Sequence, residues 1–316
     1  MASFSDEGYD CSAYAAHRPS PPQALYDTVL AYHQSPRELC VDLGTGHGAV
    51  ARALAAHFKS VIGVDSSEGM LKQAARAQKS DVSNIQYHQS NAESLPFIAS
   101  KAVDLVIACQ AAHWFDPEPL WKEMTRIVRP GGTVVFWNWG HYVVMGRPQV
   151  NRAVQKFFFE DLVPYWPQPG ISVFNNEWMY PVECRDFANW TDLTRLVSIP
   201  ADDDNAPGVL ETPGAIKMGA SQTLGSLETL IRTLSMVHEW RKAHPEALSV
   251  KEGGYGDCVD ILMRDMIEGD EEWRAFVTSG GNWRDIEVDL EMRSILLLAR
   301  RKQSLSYCAD PHERQP

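Results

Sequence analysis

Through the first 140 residues, apolar positions fall into short runs that alternate with Ala-rich or mixed stretches. Glu38 to Leu43 (ELCVDL) is an apolar run stopped by glycines, which predicts a buried strand. Ala49 to Phe58 (AVARALAAHF) is rich in the best helix former and predicts a helix. Further strands follow at Ser60–Asp65, Asn84–His88, Val103–Ala108 and Thr133–Trp139. Helices lie between them at Glu68–Lys79 and Glu118–Val128, the second stopped by Pro130 and Gly131. Apolar strands alternating with helices imply a parallel sheet covered on both faces.

After residue 140 the rhythm breaks. Val150, Val154, Phe157, Phe158 and Leu162 recur at helical spacing. Leu224, Leu227, Leu230, Ile231, Leu234, Val237 and Trp240 do the same, and predict one long amphipathic helix ending near Pro245. YWPQPG and ADDDNAPG between them read as loops. Strand character returns at Ile286–Val288 and Ser294–Ala299, ahead of Arg300-Arg301-Lys302. The pattern predicts one α/β domain with a mostly helical insertion before its last two strands.

Composition narrows the functions available. The 316 residues are 44% hydrophobic and 22% charged, enough apolar chain for a full core. A net charge of −12 disfavours nucleic acid or an anionic membrane as partner. No stretch approaches the length of a membrane span, and MASFSDEGYDC has no apolar run of a signal peptide. The six cysteines show no C-x-x-C spacing, so neither a metal site nor a disulfide framework is expected. A reducing cytoplasm is the expected compartment.

The chemistry concentrates after the first strand, in Val41-Asp-Leu-Gly-Thr-Gly-His-Gly48. Gly44 and Gly46 let the backbone turn tightly and approach a ligand, and the following helix start adds N–H donors. Asp65 ends the next strand, where a carboxylate can accept from two ribose hydroxyls. Gly44-x-Gly46-x-x-Ala49 also satisfies a dinucleotide fingerprint, so a nicotinamide cofactor stays open on this motif alone. Asp42 argues against a diphosphate beside it and suits the α-ammonium group of S-adenosylmethionine.

VDLGTGHG, VIGVD, SNAESLPF, DLVIACQAAHWFD and RIVRPGGTVVF, in this order and spacing, resemble the class I S-adenosylmethionine-dependent methyltransferases. Tyr14-Ala-Ala-His-Arg-Pro19, Gln110-Ala-Ala-His-Trp-Phe-Asp116 and Leu230-Ile-Arg-Thr-Leu-Ser235 resemble their trans-aconitate methyltransferase-like branch, although Pro21 stands where that branch often has Tyr. The resemblance implies a Rossmann-like fold with a mostly parallel seven-stranded sheet. Residues 36–140 and 271–303 would form its cofactor-binding core, 1–35 a capping lid, 141–270 a substrate-binding insertion and 304–316 a flexible tail. Gly44, Thr45 and Gly46 would meet the methionine part of the cofactor, with Asp42 near its ammonium group. Asp65 would hold the ribose, Ser66, Asn91 and Ala92 the adenine, Gln110 would lie under the sulfonium, and Arg18 would pair with the carboxylate. Asn91 stands where many class I enzymes have Asp, and its amide can still contact adenine.

Methyl transfer from a sulfonium is an in-line displacement, for which alignment and exclusion of water are the protein's main tasks. A carboxylate acceptor is already ionised near pH 7, whereas a hydroxyl or amine acceptor profits from a base. Arg232 is the expected acid-binding cation, and His113 and His238 are the candidate bases. Tyr14, Trp114, Trp139 and Ser235 are the expected substrate contacts. The leading expectation is a methyl ester formed on a small organic acid, with S-adenosylhomocysteine as by-product, by a monomer or homodimer. The alternatives are O- or N-methylation of a secondary metabolite with a histidine base, and a cofactor-binding protein without transfer.

Overall fold

The computed structural model describes residues 20–80, 82–167, 184, 186–203 and 210–303. After helix α1 (Gln23–Tyr32) comes the alternation read from the sequence: β1 (Leu39–Leu43), α2 (Ala49–Leu54), β2 (Ser60–Asp65), α3 (Glu68–Ala77), β3 (Ile85–Gln89), β4 (Val103–Cys109), α4 (Pro117–Ile127) and β5 (Val128–Val144). The Ser67 side chain accepts from the Met70 N–H to cap α3, and Asp116 caps α4 ahead of Pro117. β1 to β5 pair in parallel. β4 is buried from Val103 to Ala108, which is why it reads as an unbroken apolar run.

The second half departs from the sequence pattern. α5 (Pro148–Lys156) is followed by β6 (Trp190–Ser198) and β7 (Met218–Thr223), two strands inside the stretch expected to be mostly helical. The expected long helix is two, α6 (Leu224–Arg232) and α7 (Ser235–Ala243). They break at Thr233 and Leu234, whose N–H groups reach back only three residues, to Leu230 and Ile231. The apolar spacing runs through the break because Leu230, Ile231, Leu234 and Val237 enter the same core. After α8 (Cys258–Glu268) and α9 (Glu271–Thr278), the two expected terminal strands are one, β8 (Glu287–Arg301).

Among the described residues the sheet has eight strands rather than seven, ordered β3-β2-β1-β4-β5-β8-β6, with β7 added along the first half of β8. β8 runs antiparallel to β5, β6 and β7. One face carries Leu54, Trp137, Leu227, Met263 and Leu296, and holds α1, α2, α5, α6 and α8. The other carries Val106, Phe136 and Ile295 against Leu120 and Met124 of α4. Each such large side chain contributes about 1.5–3 kcal/mol on leaving water. Both faces leave the same sheet edge open, above the C-terminal ends of β1, β2 and β4.

Candidate active site

The loop after β1 is built by its glycines. Gly44, Gly46 and Gly48 have φ of +64°, +54° and +80°, where a side chain is strained. A Cβ on Gly44 would sit 2.3 Å from the Ala111 Cβ, whereas one on Gly46 would meet nothing within 4 Å. Gly44 is therefore glycine for packing as well as for φ, and Gly46 leaves space in front of the loop.

Two carboxylates hold this loop from below. Asp65, at the end of β2, accepts the Gly46 N–H at 2.8 Å with one oxygen and the Ser67 N–H at 2.9 Å with the other. Asp42, at 1% exposure, accepts the Thr45 hydroxyl at 2.6 Å and the Ala51 N–H at 3.1 Å. Burial pushes the Asp42 carboxyl up to about 7, against the pull of those two bonds and helped by the negative charge of Asp65. Burial also raises Asp65, opposed by the N–H groups of Ser67, Gly46 and Ser66.

Two cavities open on the loop. One, of about 160 Å³, runs over Asp65 and Ser66 to Asn91 and Ala92, with Trp114 and Phe115 as its far wall. The second, of about 70 Å³, is lined by Asp42, Thr45, His47, Cys109, Trp139 and Pro21. Gly44, Gly46 and Gln110 line both, so the two form one bent cleft. Its shape suits a nucleoside at one end and an amino-acid chain at the other, with a carboxylate at each end for a diol and an ammonium group. Cys109 contributes bulk rather than reactivity, because burial, and then Asp42, pushes its thiol well above the usual range.

Residues 41–136 match the methyltransferase domain family. A Dictyostelium discoideum protein named as a methyltransferase is 29% identical over 177 residues, 56% of this chain and 65% of that protein. The Saccharomyces cerevisiae protein "Probable S-adenosylmethionine-dependent methyltransferase CRG1" is 31% identical over 270 residues, 84% of this chain and 90% of the relative. The chain belongs to the S-adenosylmethionine-dependent methyltransferases. A solved structure described as a type II methyltransferase, from Anaeromyxobacter dehalogenans, superposes with a TM-score of 0.62 over 91% of this chain and 99% of that one. At 19% identity it shows the shared fold alone.

In this methyltransferase the cofactor candidates Asp42, Gly44, Thr45, Gly46, Asp65, Ser66, Asn91, Ala92 and Gln110 all line the cleft, as do Trp114 and Trp139. Tyr14 and Arg18 lie outside the described residues. Gln110 sits at the cleft, but its side-chain amide is engaged: it donates to the Trp139 carbonyl at 2.9 Å and accepts the Trp139 N–H at 3.0 Å. His113 is buried behind the wall and lines neither cavity; its Nδ1 meets the Asn138 amide nitrogen at 2.9 Å. His238 and Ser235, on α7, line neither cavity.

Arg232, the expected acid-binding cation, lines neither cavity. Its guanidinium meets Glu228 at 2.9 Å, Asp257 at 2.6 Å and Asp260 at 2.7 Å, with Asp257 fully buried. Arg284 holds the other Glu228 oxygen at 2.7 Å. A fork bonded to three carboxylates ties α6 to α8. Several cleft residues escaped the sequence reading: Pro21, Cys109, Ala111 and Phe115. Ala111 and Phe115 both had a signal in their place within QAAHWFD, but the role of Ala111, to fill the space opposite Gly44, is not readable from it.

Proposed function

We propose that this methyltransferase acts on a small organic carboxylic acid and forms its methyl ester. The observation that carries the reading is the wall beyond the Gly44–Gly46 loop. Trp139, Cys109 and Pro21 make its apolar part; the two histidines expected as bases, His113 and His238, line neither cavity, and His47 is the histidine among the lining residues. A carboxylate needs no base near pH 7, and an apolar wall strips water from it and raises its nucleophilicity.

When bound, S-adenosylmethionine supplies a methyl group on a sulfonium, open to in-line attack. In this proposal Asp65 accepts from the ribose hydroxyls, with its carboxylate already fixed by Gly46 and Ser67. Asn91, Ala92 and Ser66 border the adenine, and Trp114 and Phe115 cover it. Asp42, oriented by Thr45, faces the ammonium group at the other end, and Arg18 pairs with the carboxylate. Trp139 walls the acceptor side, and residues 141–270 supply the acceptor's remaining surroundings, with 1–35 as the cap. The likeness to the trans-aconitate branch in YAAHRP and QAAHWFD supports the acid as acceptor.

The test is incubation with methyl-deuterated S-adenosylmethionine and a small-molecule extract, followed by mass spectrometry. The expected product loses its label in mild alkali, as an ester does. A label stable to alkali overturns the acid reading. It would favour an oxygen or nitrogen acceptor with His47, which lines the second cavity, as base.

A further inference from the structure

β4 and β5 stop pairing in the ordinary way at the cleft. The ladder's last rung is Cys109 with Trp137, and the Gln110 N–H still donates to the Trp137 carbonyl at 2.7 Å. There the chain turns off. Gln110 has φ +56°, a conformation rare for a residue with a side chain, and the backbone leaves the sheet toward Ala111, Trp114 and Phe115. Trp139, two residues along β5, thus loses its backbone partner on the β4 side. Both its N–H and its carbonyl are taken by the Gln110 side-chain amide. On its other edge the β5–β8 register shifts between Trp139 and Tyr142. Gln110 therefore closes β5 where both neighbouring ladders change.

We propose that Gln110 is a positioning residue: its amide replaces the missing rung and fixes Trp139 as the acceptor-side wall, while its own backbone turns to form the cofactor-side wall. The proposal rests on the reading of Trp139 given above. One group here must both accept from an N–H and donate to a carbonyl, which a primary amide does at any pH. The strained backbone persists because the side chain is held at both ends. Trp139 is in turn packed against Trp137, with ring centroids 4.9 Å apart, so a shift of its backbone moves the indole.

The decisive variant is Gln110→Glu, which keeps size and shape. Above the pKa of the introduced carboxyl, two acceptor oxygens face Trp139 and the carbonyl bond becomes a repulsion. Below it, the neutral acid has one O–H and one carbonyl, and both bonds return. S-adenosylhomocysteine affinity, read by calorimetry, should fall by less than transfer does, since Gln110 itself lines the cofactor cleft. Transfer of deuterated methyl to extract acceptors should fall on the order of a hundredfold at about pH 8, the scale of a misplaced reacting group. The ratio of variant to unmodified transfer should climb as the pH is lowered to about 6. Unchanged transfer, equal losses in affinity and transfer, or a loss that does not recover at lower pH each overturn the proposal. If Gln110→Glu does not fold, Trp139→Phe keeps the backbone bonds and removes the indole. It should lose transfer and keep S-adenosylhomocysteine binding, and full transfer overturns the proposal. An unmodified protein that binds S-adenosylhomocysteine and labels nothing overturns the methyl-transfer reading beneath it, and the proposal with it.

Discussion

The region around β1, β2 and β4 and the region around α6 and α8 are held together by different forces. Around β1, β2 and β4, the cleft is made of backbone: glycine turns, N–H groups and two carboxylates that orient them. Around α6 and α8, the fold is tied by long charged side chains, with Arg232, Arg284, Glu228, Asp257 and Asp260 in one network. Backbone turns tolerate few residues and so leave a mark in the sequence. A charge network can be assembled from many positions, and Arg232 reads from sequence as a free cation when it is a tie.

The largest effect expected from breaking either region is at Gly44. Gly44→Ala adds a Cβ 2.3 Å from Ala111, on a backbone with φ +64°. Loss of S-adenosylhomocysteine binding by on the order of a hundredfold or more is expected in calorimetry, because the Ala111 wall must move. Gly46→Ala has the strain without the clash, so a loss nearer tenfold is expected; equal losses would refute the packing role of Gly44.

Arg232→Ala should do the reverse. It strands the buried carboxylates of Asp257 and Glu228 and should destabilise the fold by about 3–5 kcal/mol in urea unfolding, while S-adenosylhomocysteine affinity below the transition holds. Loss of affinity for an acid acceptor without loss of stability would restore Arg232 to the substrate site.

A smaller, pH-linked effect belongs to Asp42. Its folded carboxyl titrates at about 7, above the ordinary unfolded value near 4, so the folded state binds the extra proton between those values. The stability from Asp42 is therefore full below about pH 4 and is lost as pH rises through about 7. Binding of an ammonium group has the opposite sign, since it needs the ionised form. S-adenosylhomocysteine affinity should fall by up to about tenfold per pH unit below 7, and Asp42→Asn should flatten that slope at lower affinity. An unmodified protein with no slope between about pH 5.5 and 8 would remove Asp42 from the ammonium site. The smallest effect is at the surface pair Lys59–Glu38, with side chains 76% and 57% exposed. Lys59→Ala should change unfolding free energy by less than about 1 kcal/mol and leave binding alone.

The same contrast decides what could be read from the sequence. VDLVIA announces β4 because both its faces are covered, and VDLGTGHG announces the loop because glycine reaches those φ angles without strain. β7 (MGASQT) has no apolar rhythm and is a strand only because β8 offers it partners from Glu287 to Met292. The break between α6 and α7 hides because apolar spacing continues across it. Nine of the cofactor candidates read from the sequence line the cleft, yet the partner of Gln110 was not legible, because it depends on where the β4–β5 ladder ends and the β5–β8 ladder shifts.

β8 also sets the order in which this chain can become a protein. Among the described residues it is the last strand in chain order, yet Thr133 of β5 pairs with Arg300 and Val144 with Leu290. Until residue 287 is made, β5 has an open edge, and β6 and β7 have nothing to pair with. β1 to β4 pair with segments closer in sequence, while β5 waits for a strand more than a hundred residues away. Such distant pairing is slow, and an exposed β5 edge is a template for aggregation meanwhile.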